Sequence, residues 1–212
     1  MRSNHTVSLR KKVASEAALL LYISQEKEFK QAKLKAAEAL GIRILPSNLE
    51  VALELDRIAD EYEGQLRAER LTQMRREALE IMACLRDFSP RLIGSVWRGT
   101  AHKNSDIDIV VFSSNPRLVV DHLHEGRFKI AETEHLSKTS DGEVEESFHI
   151  YLTLSSGDQA EIVVRDLEKI DREQMCEIYG DTIKGLNFSQ LDDVVKEEPT
   201  RRFLRNRIKV QS

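Results

Sequence analysis

Residues 94–112 read GSVWRGTAHKNSDIDIVVF, and this stretch decides the fold. Asp106 and Asp108 alternate with Ile107 and Ile109 ahead of an apolar run. On a strand, side chains point to opposite faces with period two. The two isoleucines therefore enter a core, and both carboxylates share the other face with Val110. Two like charges at that spacing repel unless something positive lies between them. A divalent cation explains the pair better than solvent does, and hard oxygen ligands suit Mg²⁺ or Mn²⁺.

Upstream, RLIGS at 91–95 predicts a short strand that ends in a Gly94-Ser95 turn and opens into a short helix. Small residues let the backbone approach a ligand closely, and N–H groups at a helix start hold phosphate oxygens. Arg98, Thr100, Lys103 and Ser105 surround the same turn and add donors. A phosphate cradle followed by a metal-binding pair suits phosphoryl or nucleotidyl transfer, where positioning and charge neutralisation dominate.

A two-metal site calls for a third carboxylate on a neighbouring strand. In QAEIVVRD (159–166), Ala160, Ile162 and Val164 make one face, and Glu161 with Val163 the other, so Glu161 is the candidate. SFHIYLTL (147–154) precedes it across the turn Ser155-Ser156-Gly157-Asp158, which predicts a hairpin. With regular register, His149 and Tyr151 share the face of Glu161 and become candidates for the substrate pocket. Two further segments complete the region: RFKIAETEHL (127–136) as a strand, and NPRLVVDHLHEG (115–126) as a helix closed by Gly126. The class is α+β, a mixed sheet with helices on one face.

Before DFSPR at 87–91 the chain has helical character. Leu9, Val13, Leu20 and Ile23 form one stripe; Phe29, Leu34, Ala37 and Leu40 a second; Leu49, Leu53, Ile58 and Tyr62 a third. Leu66 or Leu71, then Met74, Ala78, Ile81, Met82 and Leu85, form a fourth. Gly41 predicts a stop, and Ser47 with Glu50 a capping box. The lysines at 27, 30, 33 and 35 suggest a helix-turn-helix reader, but interleaved acids and a long connection favour a packing or dimerisation module. After Asp166, the polar EIYGDTIKGL (177–186) suits a cover over a cleft, and FSQLDDVVKEEP (188–199) predicts a short helix. RRFLRNRIK (201–209) reads as a basic, solvated end. The expected organisation is a helical module at 1–87, a catalytic domain at 88–165 and an extension at 166–212.

The 212 residues carry a net charge of -4, so nothing global attracts nucleic acid, and binding to it would need a local basic patch. Cys84 and Cys176 have no metal-ligand spacing and read as packing residues. The apolar run from Ala17 to Ile23 is too short for a leader or a membrane span, which predicts a cytoplasmic protein without membrane contact.

Gly94-Ser95, ten residues, then Asp106-Ile107-Asp108 resembles the signature of the DNA polymerase beta-like nucleotidyltransferase superfamily. The stretch 94–112 is also similar to the corresponding part of CCA-adding enzymes and oligoadenylate synthetases. With Glu161 the resemblance extends over roughly 90–165. More loosely, the whole chain resembles an uncharacterised archaeal group of predicted nucleotidyltransferases with a helical N-terminal part.

The resemblance implies a nucleotidyltransferase-like sheet and transfer of NMP from an NTP, ATP first among them, to a hydroxyl on an RNA end, a protein side chain or a small molecule. It implies that Asp106 and Asp108 hold two Mg²⁺ ions. Glu161 would complete the second metal site and help deprotonate the acceptor, and Gly94 and Ser95 would bind the β- and γ-phosphates. One departure stands out: the third acid is commonly aspartate, and here it is glutamate. The alternatives are a non-catalytic nucleotide- or RNA-binding regulator and a toxin–antitoxin partner. A homodimer through the N-terminal helices is a further expectation.

Overall fold

The computed structural model describes residues 2–140 and 143–204. Four helices come first: α1 (Arg2–Tyr22), α2 (Phe29–Ala39), α3 (Asn48–Glu63) and α4 (Gln65–Cys84). A sheet region follows, with β1 (Arg91–Ile93), α5 (Gly94–Arg98), β2 (Ile107–Phe112), α6 (Pro116–Glu125), β3 (Ile130–Ser140), β4 (Glu143–Thr153) and β5 (Gln159–Arg165). The last elements are β6 (Leu186–Asn187) and α7 (Phe188–Glu197). The strands form one mixed sheet in the order β3-β4-β5-β2-β1-β6. β2 and β5 are parallel, and the other pairs are antiparallel. Among the described residues, no helix is long and apolar enough to cross a membrane.

Alternation in β2 and β5 places Ile107, Ile109, Val111, Ala160, Ile162 and Val164 in the core. Helices cover that face, and α4 supplies Leu71, Met74, Ala78, Ile81 and Met82. The core therefore crosses position 87: α4 lies in the segment read as an N-terminal module yet packs on the sheet. Residues beyond 165 cross over as well. Leu186, Leu191 and Val194 belong to the same core, and β6 extends the sheet beside β1. The two-residue β6 was not foreseen, since so short a strand has no period to read.

A second core joins α1, α2 and α3. Ser47 and Glu50 form the expected capping box. The stripes need correction. Val13, Leu20, Ala37 and Ile58 are buried as expected, but Ile23, Leu34, Leu40, Tyr62 and Leu66 are exposed, and Ala14, Ala17, Ala18, Ala32, Ala36, Val51 and Ala59 are buried in addition. Small residues let helix backbones approach closely, so alanine faces win over the larger side chains beside them. Lys33 bonds Asn48 Oδ1 at 2.7 Å and Lys35 bonds Glu26 at 2.9 Å, so two of the four lysines serve local contacts.

Arg67, Leu71 and Arg75 recur at i, i+4 and i+8 along α4. Arg75 is fully buried and donates to the carbonyls of Val96 (3.1 Å), Trp97 (2.9 Å), Pro199 (2.8 Å) and Arg201 (2.8 Å). Burial lowers its pKa to about 10. Arg67 donates to Asp56, Asp60, Thr100 and Ala101 and ties α3 to the loop after α5. The expectation of a solvated end at 201–209 fails over its described part. Arg201 O receives Arg75, Phe203 N donates to Arg98 O at 2.9 Å, and Arg202 pairs with Asp56. Residues 205–209 lie outside the described residues.

Arg75→Met keeps the volume but leaves these carbonyls without donors. It should lower stability by about 3 kcal/mol, on the scale of 1–3 kcal/mol for each unsatisfied buried group. Urea unfolding would read this. Arg75→Lys should recover little, because an ammonium cannot span the fork.

Candidate active site

The site is built where β1, β2 and β5 run side by side. Asp108 pairs with Ile93 on one side and Glu161 on the other. Directly opposite residues share a face, so the register brings Asp108 and Glu161 together from positions 53 apart in sequence. Asp106 lies one residue ahead of β2 and is exposed, while Asp108 is half-buried.

Gly94 makes the close approach possible. Its φ is +69°, and a Cβ there would stand 1.9 Å from Asp108 Oδ2. No other residue fits without moving the carboxylate. Gly94 and Ser95 open α5 and line a cavity of about 410 Å³. Asp108 lies at its wall, and Thr100 and Ser105 also line it. Ser105 Oγ accepts the His102 N–H at 3.0 Å and closes the loop.

Two expected donors are engaged elsewhere. Arg98 is buried, donates to both oxygens of Asp181 (3.1 and 2.7 Å) and stacks on Trp97 and Tyr179. It borders the cavity, but its charge fastens the 176–183 segment. Lys103 is exposed, sits over the Tyr22 ring, and is absent from the cavity wall. The 176–183 segment does cover the cleft, with Cys176, Ile178, Tyr179 and Ile183 as walls. Lys27, Asp56 and His102 are cavity residues that the sequence reading missed. His102 sits in the loop after α5 within the 94–112 stretch, whereas Lys27 and Asp56 belong to segments with no local motif and reach the cavity through packing of the helical bundle against α5.

On β4, Tyr151 lies opposite Glu161 and its hydroxyl donates to the Glu161 carboxylate. His149 Nδ1 is 2.6 Å from Glu161 Oε1, and its Nε2 is 2.8 Å from Ser147 Oγ. With Nδ1 protonated the ring donates to the carboxylate and accepts from Ser147. The expected sharing of a face by His149, Tyr151 and Glu161 is thus what the register produces. Both residues orient the acid, and neither lines the cavity.

Electrostatics concentrates on the same three acids. Burial, then the charges of Glu161 and Asp106, raises Asp108 to about 7. Asp106 is raised by partial burial and then by Glu161, with Lys27 opposing. Burial and Glu161 together push Tyr151 up to about 12. Carboxylates that hinder one another's ionisation fit a divalent cation by charge and by ligand hardness. Among the described residues, no three His, Cys, Asp or Glu side chains are grouped so as to hold a metal ion in this arrangement.

The profile of the nucleotidyltransferase domain family matches residues 69–175, just over half of the chain. No curated protein matches it. Among solved structures, the chain is similar to the Cid1 poly(U) polymerase, with 20% identity over 50% of this chain and 37% of that one, at a TM-score of 0.32. For Cid1 bound to the UTP analogue UMPNPP the figures are 20%, 55%, 37% and 0.34. For a cytoplasmic RNA terminal U-transferase they are 22%, 55%, 34% and 0.30. The chain thus spans little more than a third of the length of these proteins.

Asp108 has a sign-specific consequence. Its folded pKa of about 7 exceeds the model-peptide value of 3.8, so the folded state holds the extra proton between them. Its contribution to stability is full below pH 4 and is lost as pH rises through 7, by at most about 1.4 kcal/mol per pH unit. Thermal melts of metal-free protein should therefore fall from pH 5 to pH 8. Asp108→Asn should flatten that fall, and Mg²⁺ at pH 8 should raise the melting temperature of wild type but not of Asp108→Asn.

Proposed function

Because the chain belongs to the nucleotidyltransferase domain family, we propose that it transfers NMP from an NTP to a hydroxyl acceptor. The observation that carries this reading is the register that sets Asp108 beside Glu161, with Gly94 pressed against Asp108. The cavity of about 410 Å³ has the size of a small-ligand pocket, and we assign it to the nucleotide.

Gly94 and Ser95 bring backbone close to the triphosphate, and Lys27 adds a cation at the cavity wall. Tyr179 and Trp97 offer apolar ring surface to the base. Asp106, Asp108 and Glu161 would hold Mg²⁺ or Mn²⁺, which when bound supplies positive charge against the triphosphate and the acids. Glu161, fixed by Tyr151 and His149, accepts the proton of the acceptor hydroxyl. The acceptor oxygen bonds to the α-phosphorus, the bond from that phosphorus to the bridging oxygen breaks, and pyrophosphate leaves. The walls leave the base open, with ATP as the expectation from resemblance.

Incubation with each α-labelled NTP, a divalent metal and cell extract tests the reading. Wild type should label an acceptor, and Asp106→Ala and Asp108→Ala should each lose at least about 100-fold, the loss that follows removal of one transition-state-stabilising group. Transfer unaltered in both variants would remove these residues from the site. NTP binding without turnover under any metal would replace catalysis with a binding role.

A further inference from the structure

A second cavity, of about 470 Å³, lies between α4, the α6–β3 connection and the end of β4. It shares no lining residue with the nucleotide cavity. Its volume falls within the range of small-ligand pockets, about 300–1,000 Å³. Its walls are tied to one another. Cys84 Sγ donates to His122 O at 2.9 Å and joins α4 to α6. Arg70 donates to Asp158 at 2.9 Å and joins α4 to the β4–β5 turn. Thr153 N–H donates to Lys129 O at 3.1 Å and joins β4 to the α6–β3 connection.

Glu77 and Glu80, one turn apart on α4, line one wall. Glu80 is exposed, but Glu77 is buried, at 7% exposure. Glu77 Oε2 is shut off from solvent and has no hydrogen-bond partner. A buried carboxylate is tolerated when a cation or a donor meets it. The core side chains near it along α4, Met74, Ala78 and Ile81, offer neither. Arg127 and Lys129 line the same cavity and bring the opposite charge. Both are exposed, and among the described residues neither side chain has an ion-pair or hydrogen-bond partner. Arg127 has φ +60°, at the position after a helix that glycine ordinarily fills. Phe128 and Leu154, packed on the main core, add apolar surface to the cavity.

We propose that this cavity binds a free amino acid with an apolar side chain. The ligand's ammonium donates to Glu77, its carboxylate pairs with Arg127 and Lys129, and its side chain lies on Phe128 and Leu154. An amine alone would leave the two cations without a counter-charge. An anion alone would leave Glu77 stranded. A small zwitterion with an apolar body satisfies all of these groups at once. The acids of β2 and β5 have no part in the assignment, so it stands or falls separately from nucleotidyl transfer.

Thermal melts of the full chain with leucine, isoleucine, valine, methionine or phenylalanine test this, followed by calorimetric titration. At about ten times its dissociation constant, at least one of them should raise the wild-type melting temperature by about 3 °C or more. Glu77→Gln keeps the shape, removes the charge and should weaken that amino acid at least about tenfold. Without ligand this variant should melt no lower than wild type, since it carries no unpaired buried charge. Arg127→Gly keeps the left-handed backbone and removes the guanidinium. Combined with Lys129→Gln it should weaken binding by a similar factor, and it decides the matter should Glu77→Gln fail to fold. Asp108→Asn should bind the amino acid within about twofold of wild type, because Asp108 lies outside this cavity.

The absence of a melting shift with all of these amino acids would overturn the assignment. Undiminished binding to Glu77→Gln or to the Arg127→Gly, Lys129→Gln variant would do the same, as would loss of binding in Asp108→Asn. Equal binding of the decarboxylated amine, or of the acid that lacks the amino group, would also overturn it, since one wall would then have no role. NTP binding measured in parallel separates the two readings. Intact NTP binding without amino-acid binding removes this site and leaves nucleotidyl transfer standing. Amino-acid binding that responds to the variants as expected, in a chain that neither binds nor turns over NTP, removes nucleotidyl transfer and leaves this site.

Discussion

The guanidinium of Arg75 holds the site in place. A helix of five residues leaves nearly all its carbonyls without intrahelical partners, and α5 is such a helix. Each carbonyl from Ser95 to Arg98 finds a donor. Ser95 O receives the Gly99 and Thr100 N–H groups, Val96 O and Trp97 O receive Arg75, and Arg98 O receives Phe203 N–H. The same guanidinium grips Pro199 and Arg201, so the segment after α7 is locked against α5. Gly99, with φ +76°, lets the Arg201 carbonyl come close, 2.8 Å from where a Cβ would lie. With α5 immobile, Gly94 at its start stays pressed on Asp108, and the carboxylate keeps its aim.

A second arginine performs the matching task for the helical bundle. Arg67 reaches the carbonyls of Thr100 and Ala101 and the carboxylates of Asp56 and Asp60. It joins two cores that share few apolar contacts, and the cavity opens at their junction. The cost of burying these charges is offset by hydrogen bonds in every direction, which is the condition for tolerating them. Removal of either would leave the remaining groups stranded.

The face of β2 turned away from the main core changes character along its length. Asp106, Asp108 and Glu161 occupy one end, and Val110 and Phe112, beyond Asp108 on the same face of β2, are buried. Burial, and after it the repulsion among the acids, raises Asp108 and Asp106.

The alternation in 106–112 and 159–165 made the strands, their buried faces and the acidic pair legible, because period two is a local property. The turn at 155–158 made the hairpin legible, and with it the partnership of Tyr151, His149 and Glu161. The α4 stripe was legible from Leu71 to Leu85, where large apolar residues pack on a sheet. The first three helices were read correctly at Val13, Leu20, Ala37 and Ile58 and wrongly at Ile23, Leu34, Leu40 and Tyr62, because alanines fill much of their core and give a weak periodic signal. Arg98 and Lys103 looked like phosphate donors by nearness in sequence, but side-chain direction sends one to Asp181 and the other over Tyr22. The sequence by itself determined which residues form strands and which face carries acid, since backbone geometry converts spacing into direction. Only the tertiary structure decided that α4 and α7 complete the sheet's core and that α2 and α3 wall the cavity. Those outcomes depend on contacts between residues tens of positions apart, which no local pattern encodes.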